Sequence, residues 1–123
     1  MANLVKKQSF AGPEKQILIA EDSYKVTLGA VIAATGAETV DGRKILRAGT
    51  PVKGDLKARN TAFVKEAAAP NAILLHDVDV TEGENNGTIV IAGVVDLTKV
   101  EASVEALITA DVEAKLNKIS FIK

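Results

Sequence analysis

The chain has 123 residues, of which 47% are hydrophobic and only 3% aromatic, and its formal net charge is −1. This length allows one domain with a buried core, which Val, Ile, Leu and Ala must build because aromatic residues are so scarce. The near-neutral charge gives no global basic field for binding nucleic acid, and the absence of cysteine excludes disulfides, thiolate metal sites and thiol nucleophiles.

The first 15 residues are expected to form an arm outside the domain. Gly12 and Pro13 interrupt any regular pattern, and three lysines give the segment a basic bias. Leu4, Val5 and Phe10 are apolar residues in this otherwise polar stretch, which favours an arm that contacts a partner over the alternative of a disordered tail. We therefore divide the chain into an arm, residues 1–15, and a β-rich domain, residues 16–123. No apolar run has the length of a transmembrane helix, and the N-terminus lacks the apolar stretch of a signal peptide.

Short β-branched runs separated by turn residues predict several strands before residue 70. Asp41-Gly42 marks a turn, and residues 33–39 are small and polar, which indicates a loop. Gly49 can take an unusual backbone angle, and Pro51 holds Thr50 extended. The strands expected here cover residues 16–20, residues 24–32 with a bulge or close approach at Gly29, a strand that begins at Ile45 and Leu46, and residues 61–66.

The stretch from residue 72 to residue 97 predicts the centre of the fold. Two β-branched runs flank a polar loop, and Asn86-Gly87 suits a tight turn, so we expect residues 73–80 to pair with residues 88–95 as a hairpin. Both runs are apolar on both faces. Either the rest of the fold or a second subunit must therefore cover both sides.

The C-terminal quarter predicts short helices followed by a strand. Thr98 and Glu101 fit a capping box, and Thr109 is a second candidate N-cap. Apolar residues at helical spacing indicate two short helices or one kinked helix between residues 98 and 117, and residues 118–123 predict a final strand. The fold class is therefore α+β, mainly β: a compact β-sandwich or a β-tulip or β-clip-like single domain with short C-terminal helices.

No constellation of catalytic residues is recognisable in the sequence. His76 is the only histidine, and strand alternation would place it on the face opposite Asp77 and Asp79, which favours a structural role. The acidic stretch that begins at Asp77 departs from the EF-hand pattern, leaving a looser calcium site or a solvated acidic loop as alternatives. A small basic patch has no aromatic residues nearby, which argues against nucleic-acid binding. The patch consists of Lys53, Lys57 and Arg59. We expect no enzyme activity, no cofactor and no metal.

Three stretches resemble the head-decoration and head-fibre proteins of tailed bacteriophages. The first is Lys-Ile-Leu-Arg-Ala-Gly-Thr-Pro-Val at residues 44–52, and the second is residues 72–83 followed by Gly-Val-Val-Asp-Leu at residues 93–97. The third is Ile-Thr-Ala-Asp at residues 108–111, leading to Ile-Ser-Phe-Ile-Lys at residues 119–123. The resemblance covers roughly residues 41–123, and the chain departs from some relatives in lacking the aromatic residues that they bury.

The resemblance implies a structural virion protein that is made in the host cytoplasm. Such proteins bind the outer surface of the expanded head as trimers at three-fold or quasi-three-fold positions, where they stabilise the shell of major capsid protein. The partners expected are therefore the major capsid protein and two further copies of this chain, with no nucleic acid and no membrane. The interface residues expected are Leu4, Val5, Phe10, Val90 and Ile122. A β-clip module that binds a carbohydrate or small ligand is the alternative.

Overall fold

The structure is a computed structural model, and it describes Ile17 and residues 25–123. This part of the chain contains nine strands, two short α-helices and one turn of 3-10 helix at Leu97–Lys99. The strands are β1 (Val26–Ile32), β2 (Glu38–Val40), β3 (Arg43–Leu46), β4 (Pro51–Lys53), β5 (Val64–Lys65), β6 (Ala72–Leu74), β7 (Val78–Asp79), β8 (Asn85–Asp96) and β9 (Ile119–Ile122), and the helices are α1 (Ala102–Glu105) and α2 (Ala110–Lys115). The expectation of an α+β fold that is mainly β is confirmed.

The strands form two sheets. The larger runs in the order β1-β8-β6-β4-β5, with β9 added parallel to the C-terminal part of β8, and the smaller runs β2-β3-β7. All other pairings between the described strands are antiparallel. At 12 residues, β8 exceeds every other described strand in length, and it pairs with β1, β6 and β9.

Both faces of the larger sheet are buried by this chain itself along its central strands, β6 and the middle of β8. Alternate residues point to opposite faces, so Ile89 enters one hydrophobic cluster and Val90 the other. Val90 lies in the helix-side cluster, which lies under the helices and includes Val104 and Val112. Ile89 lies in the other cluster, which contains the fully buried Phe63. Of the two alternatives for covering the apolar central strands, the fold of the chain itself is the one observed.

The predicted central hairpin is correct in its partners and wrong in its extent. Ile73 pairs with Val90 and Leu74 with Ile89, but the chain then leaves this sheet, and β7 pairs with β3. Asn86-Gly87 lies inside β8 and is not a turn. A Cβ at Gly87 would stand 2.8 Å from side-chain atoms of both Ile32 and Val78. Glycine is therefore required here because the two neighbouring side chains approach closely.

The turn at Asp41-Gly42 is confirmed. Both residues have positive φ, 52° and 80°, and Val40 pairs with Arg43 across a two-residue loop. This geometry is that of a type I′ hairpin turn.

Several strand boundaries differ from those predicted. The loop expected over residues 33–39 is shorter because β2 begins at Glu38. Ile45 and Leu46 were expected to begin a strand, but they are the last two residues of β3. Predicted strand 61–66 is reduced to β5, and the register irregularity of β1 lies between Val26 and Thr27, not at Gly29.

Of the two alternatives predicted for the C-terminal region, two short helices are observed and not one kinked helix, and the chain ends in the predicted strand, β9. Thr109 caps α2 by accepting a hydrogen bond from the amide of Val112. The capping box at Thr98 is wrong: the Asp96 carboxylate caps the 3-10 turn, accepting hydrogen bonds from the amide and the hydroxyl of Thr98. Neither α1 nor α2 has the length or apolar character to cross a lipid bilayer.

Ile17 connects the N-terminal part of the chain to the core. Its side chain is fully buried in the helix-side cluster, and its carbonyl accepts a hydrogen bond from the amide of Asp96 at 2.8 Å. The predicted arm, residues 1–15, lies outside the described residues, as does the rest of the strand predicted over residues 16–20.

Candidate interaction surface

The expected interface residues fall into three groups. Leu4, Val5 and Phe10 lie outside the described residues. Val90 is 0% exposed and belongs to the chain's own core, so its prediction as an interface residue is wrong, because both faces of β8 are already covered within the subunit. Ile122 is 44% exposed on β9, which leaves it available to a partner.

His76 and its acidic neighbours do not form a shared site. Leu75 and His76 form a bend between β6 and β7, so the strand alternation expected for His76 does not apply. The Asp77 carboxylate accepts a hydrogen bond from the Ala48 amide at 2.7 Å and lies 3.9 Å from the Arg47 guanidinium. The Nδ1 atom of His76 is buried and has no hydrogen-bond partner among the described residues. Within residues 25–123, no three carboxylates or histidines come together in a way that could hold a metal ion.

Asp79 stabilises the loop that follows β7. Its carboxylate accepts hydrogen bonds from the hydroxyl of Thr81 at 2.7 Å and from the amide of Thr81 at 2.9 Å, and it pairs with Arg43 on β3. These contacts, with the Thr81 hydroxyl foremost, lower the pKa of Asp79 to about 2. The acidic residue is thus part of the scaffold that joins β3 to β7.

An open groove of about 480 Å³ lies between β1, the loop of residues 55–60 and the start of β8. The Asp55 carboxylate folds this loop by accepting a hydrogen bond from the Lys57 amide at 2.8 Å. Two contacts fasten the loop to β1: the Val31 amide donates to the Arg59 carbonyl at 3.1 Å, and the Arg59 side chain donates to the Gly29 carbonyl at 2.6 Å. The wall of the groove therefore consists of the backbone of β1 and a loop that is hydrogen-bonded to it.

A second cavity of about 220 Å³ shares Leu56 with the first. It is bounded by Ile91 on β8 and by the segment that leads from α2 to β9, where the Lys118 carbonyl accepts a hydrogen bond from the Gly93 amide at 3.2 Å. Because Leu56 lines both cavities and is 38% exposed, we treat them as one surface, the Leu56 groove. Its lining residues are Gly29, Ala30, Val31, Leu56, Lys57, Arg59, Asn60, Asn71, Asn86, Gly87, Ile91, Lys115, Leu116, Asn117 and Lys118.

The Leu56 groove has a positive charge at each end. Lys57 and Arg59 lie at the β1 end, and Lys115 and Lys118 lie at the β9 end; all four are exposed. The described lining residues include no carboxylate, and none of the four cations forms an ion pair with another described residue. An exposed apolar side chain with cations on either side is suited to an acidic partner.

A cavity of opposite character lies at the loop between β7 and β8. It has a volume of about 280 Å³ and is lined by Arg43, Asp79, Glu82, Gly83, Glu84 and Asn85. Arg43 is paired with Asp79, which leaves Glu82 and Glu84 without an ion pair among the residues described. The acidic and basic surfaces are thus separate.

Sequence reasoning found part of the groove and missed the rest. The basic patch Lys53, Lys57 and Arg59 was visible as a local cluster, and two of its three members line the groove. Leu56 carried a signal in being a lone apolar residue inside a polar turn. Lys115 and Lys118 are nearly 60 positions away along the chain, and no local pattern links them to the patch.

No protein-family model matches the chain, and no curated protein matches it either. The structure does show how the three stretches singled out in the sequence, residues 44–52, residues 72–83 with 93–97, and residues 108–123, lie relative to one another. Gly49 donates a backbone hydrogen bond to Leu74 at 2.7 Å, and Leu74 donates one to Thr50 at 3.0 Å. β3 pairs with β7, β4 with β6, and Gly93–Asp96 of β8 with β9. The stretches thus pair with one another in space.

Proposed function

We propose that this protein is a structural virion protein of a tailed bacteriophage, one that binds the outer surface of the major capsid shell and stabilises the expanded head. In this proposal it acts as a trimer at three-fold or quasi-three-fold positions. It requires no cofactor and performs no chemical reaction.

The observation that carries the proposal is the mutual packing of the three resembling stretches. Residues 44–52 contact residues 72–83 through strand pairing and through the hydrogen bond from Ala48 to Asp77. Residues 93–96 pair with residues 119–122 in parallel register. Segments that are far apart in the sequence therefore build one structural unit, which supports reading their order as the signature of one fold.

The trimer rests on the resemblance and on the exposed Ile122 near the end of β9. The apolar second face of β8, which had suggested a subunit interface, is filled by the helices of the same chain. Ile122 remains exposed, and Phe121 beside it is half-buried. These are the described positions of β9 at which a neighbouring subunit or the capsid would bury apolar surface.

The ligand-binding alternative has weaker support from the structure. Sugar-binding sites commonly use exposed aromatic faces. Among the described residues, Phe63 is fully buried and Phe121 is half-buried against the helix-side cluster. No aromatic side chain among the described residues has an exposed ring face on which a sugar could stack.

Mixing the purified protein with expanded, undecorated heads tests the proposal. We expect saturable binding and, by cryo-electron microscopy, added density at three-fold positions. Ile122→Lys is expected to reduce occupancy at least tenfold, because a charge at a buried interface would lose its hydration. Val64→Lys is the matched control, since Val64 is similarly exposed, at 39%, but lies on β5 at the far side of the larger sheet.

Circular dichroism should show that both variants are folded. If the parent protein binds the expanded heads of none of the tailed phages tested, the capsid proposal as a whole is wrong. Equal occupancy of the parent and Ile122→Lys would show instead that β9 is not at the interface.

A further inference from the structure

We propose that the Leu56 groove binds an acidic, extended protein segment whose carboxylates meet the cations at its two ends and whose central apolar side chain contacts Leu56. This inference rests on the proposed function, because there the segment belongs to the outer surface of the capsid. It names a contact surface that differs from β9 and from the N-terminal arm.

The charge distribution identifies the class of partner. Four exposed cations line the groove, no carboxylate does so among its described lining residues, and none of the four is neutralised by an ion pair within the described chain. The carboxylates of an acidic partner would neutralise these four cations. At low salt they would also be attracted to them over a long distance, because screening is weak.

The length of the groove sets the spacing of the charges. Among the β8 residues that line the groove, Asn86, opposite Val31, lies nearest one end and Ile91 lies nearest the other. These two residues are five positions apart along β8, which corresponds to about 17 Å. An extended segment of about six residues would therefore place one carboxylate at each end and an apolar residue near the middle.

The centre of the groove favours a protein over a nucleic acid. Leu56 and Ile91 give the middle an apolar surface, and the described lining contains no aromatic side chain on which a base could stack. The cations also form two separate pairs and not the continuous track that follows a phosphate backbone.

The test uses a defined peptide and does not require capsids. The probe is the capped peptide Glu-Asp-Val-Leu-Val-Asp-Glu, and its control replaces every acid by the matching amide. In ¹⁵N NMR titrations at about 20 mM salt, we expect the acidic peptide to shift the amides of Leu56, Lys57 and Lys118, and the amide peptide to shift them at least tenfold less at the same concentration.

Charge reversal then locates the effect. Lys57→Glu combined with Lys118→Glu should weaken both peptide binding and head occupancy at least tenfold. Lys99→Glu is the control, since Lys99 is exposed on the 3-10 turn and does not line the groove. Raising the salt to about 0.5 M should weaken the parent strongly and the double variant little.

The outcomes separate the two proposals. If the parent binds heads and the double variant binds equally well, the groove proposal is wrong and the capsid proposal stands. If the parent shows no binding to heads but the peptide shifts the groove, only the capsid proposal fails. Binding of a single-stranded oligonucleotide in the groove with no effect of the acidic peptide, or self-association that Glu82→Lys with Glu84→Lys abolishes, would identify a different occupant and overturn the inference.

Discussion

Gly49 is the residue at which backbone conformation and packing both require glycine. Its φ is +92°, and a Cβ there would stand 2.7 Å from the Cγ1 of Val100 and 3.2 Å from the Cγ1 of Val104. Its amide donates to the Leu74 carbonyl at 2.7 Å. The turn after β3 therefore packs closely against β6 and the helix side of the core.

Gly49→Ala should therefore destabilise the protein by about 2–4 kcal/mol, from the strain of a positive φ together with overpacking of the two valines. Gly42→Ala separates the two causes, because Gly42 has a φ of +80° but no atom within 4 Å of its Cβ position. That variant should lose only about 1–2 kcal/mol. Gly29 has neither feature, and Gly29→Ala should change stability little. Urea unfolding of the three variants checks the order, and equal losses at Gly49 and Gly42 would show that the valines move aside without cost.

Asp79 gives the protein a specific weakness in acid. Its pKa is lowered from 3.8 to about 2 by the hydroxyl and amide of Thr81 and by Arg43. A carboxyl group whose pKa is lower in the folded than in the unfolded chain stabilises folding above the unfolded pKa, and that contribution disappears as the pH falls through the folded pKa. The stabilisation is therefore complete above about pH 5 and is lost between about pH 4 and pH 2.

Asp79→Asn should be less stable than the parent at pH 6, and the difference in melting temperature should narrow progressively by pH 2.5. Thr81→Val removes the largest contribution to the lowered pKa, so its own loss of stability in acid should be shallower than that of the parent. Thermal unfolding at pH 6, 4 and 2.5 supplies the measurement. A gap between the parent and Asp79→Asn that stays constant over this range would mean that the ionised carboxylate does not stabilise the loop.

At the level of elements, local chemistry predicted turns and helix caps best where sequence neighbours alone decide them. The type I′ turn at Asp41-Gly42 and the cap at Thr109 both depend on atoms within three residues. Thr98 satisfied the same local rule, but Asp96 accepts both hydrogen bonds that Thr98 can donate, at 2.9 Å and 2.6 Å, and so becomes the cap. Two adequate caps two residues apart cannot be ranked from sequence alone.

The central hairpin shows where tertiary contacts override a local signal. Asn-Gly between β-branched runs favours a tight turn, yet Gly87 is held within β8 by the close approach of Ile32 and Val78. The chain turns earlier, near Gly83, whose φ is +113°. Val78–Asp79 pairs with β3 and not with β8. Only two residue pairs therefore join the two predicted hairpin strands, Ile73 with Val90 and Leu74 with Ile89.

The candidate site was less predictable than the fold for a related reason. The Leu56 groove takes residues from β1, the loop of residues 55–60, β8 and the connection from α2 to β9. The sequence reveals each segment's charge, but only the sheet order brings Lys57 and Lys118 to the ends of one surface. Val90 failed as an interface residue because the sequence could not show that the helices cover its face.

At the scale of the whole molecule, β8 joins two hydrophobic clusters, and Ile17 fastens the N-terminal part of the chain to one of them. Ile17 is 0% exposed, packs in the cluster that contains Val95 and Leu97, and accepts a hydrogen bond from the Asp96 amide. Because Ile17 belongs to the core, the boundary between the proposed arm and the domain lies before Ile17, whatever residues 1–15 contact.

This boundary leads to a paired truncation experiment. Deleting residues 2–14 keeps Ile17, so the melting temperature should change little, whereas Ile17→Ala leaves a cavity and should cost about 2–4 kcal/mol. If the arm contacts a neighbouring chain through Leu4, Val5 and Phe10, the deletion should still lower occupancy on expanded heads, and Ile17→Ala, where folded, should not. Differential scanning calorimetry and co-sedimentation with heads give the two readouts. Unchanged occupancy after the deletion would remove the arm from the interface, and a large drop in melting temperature would place the domain boundary before residue 15.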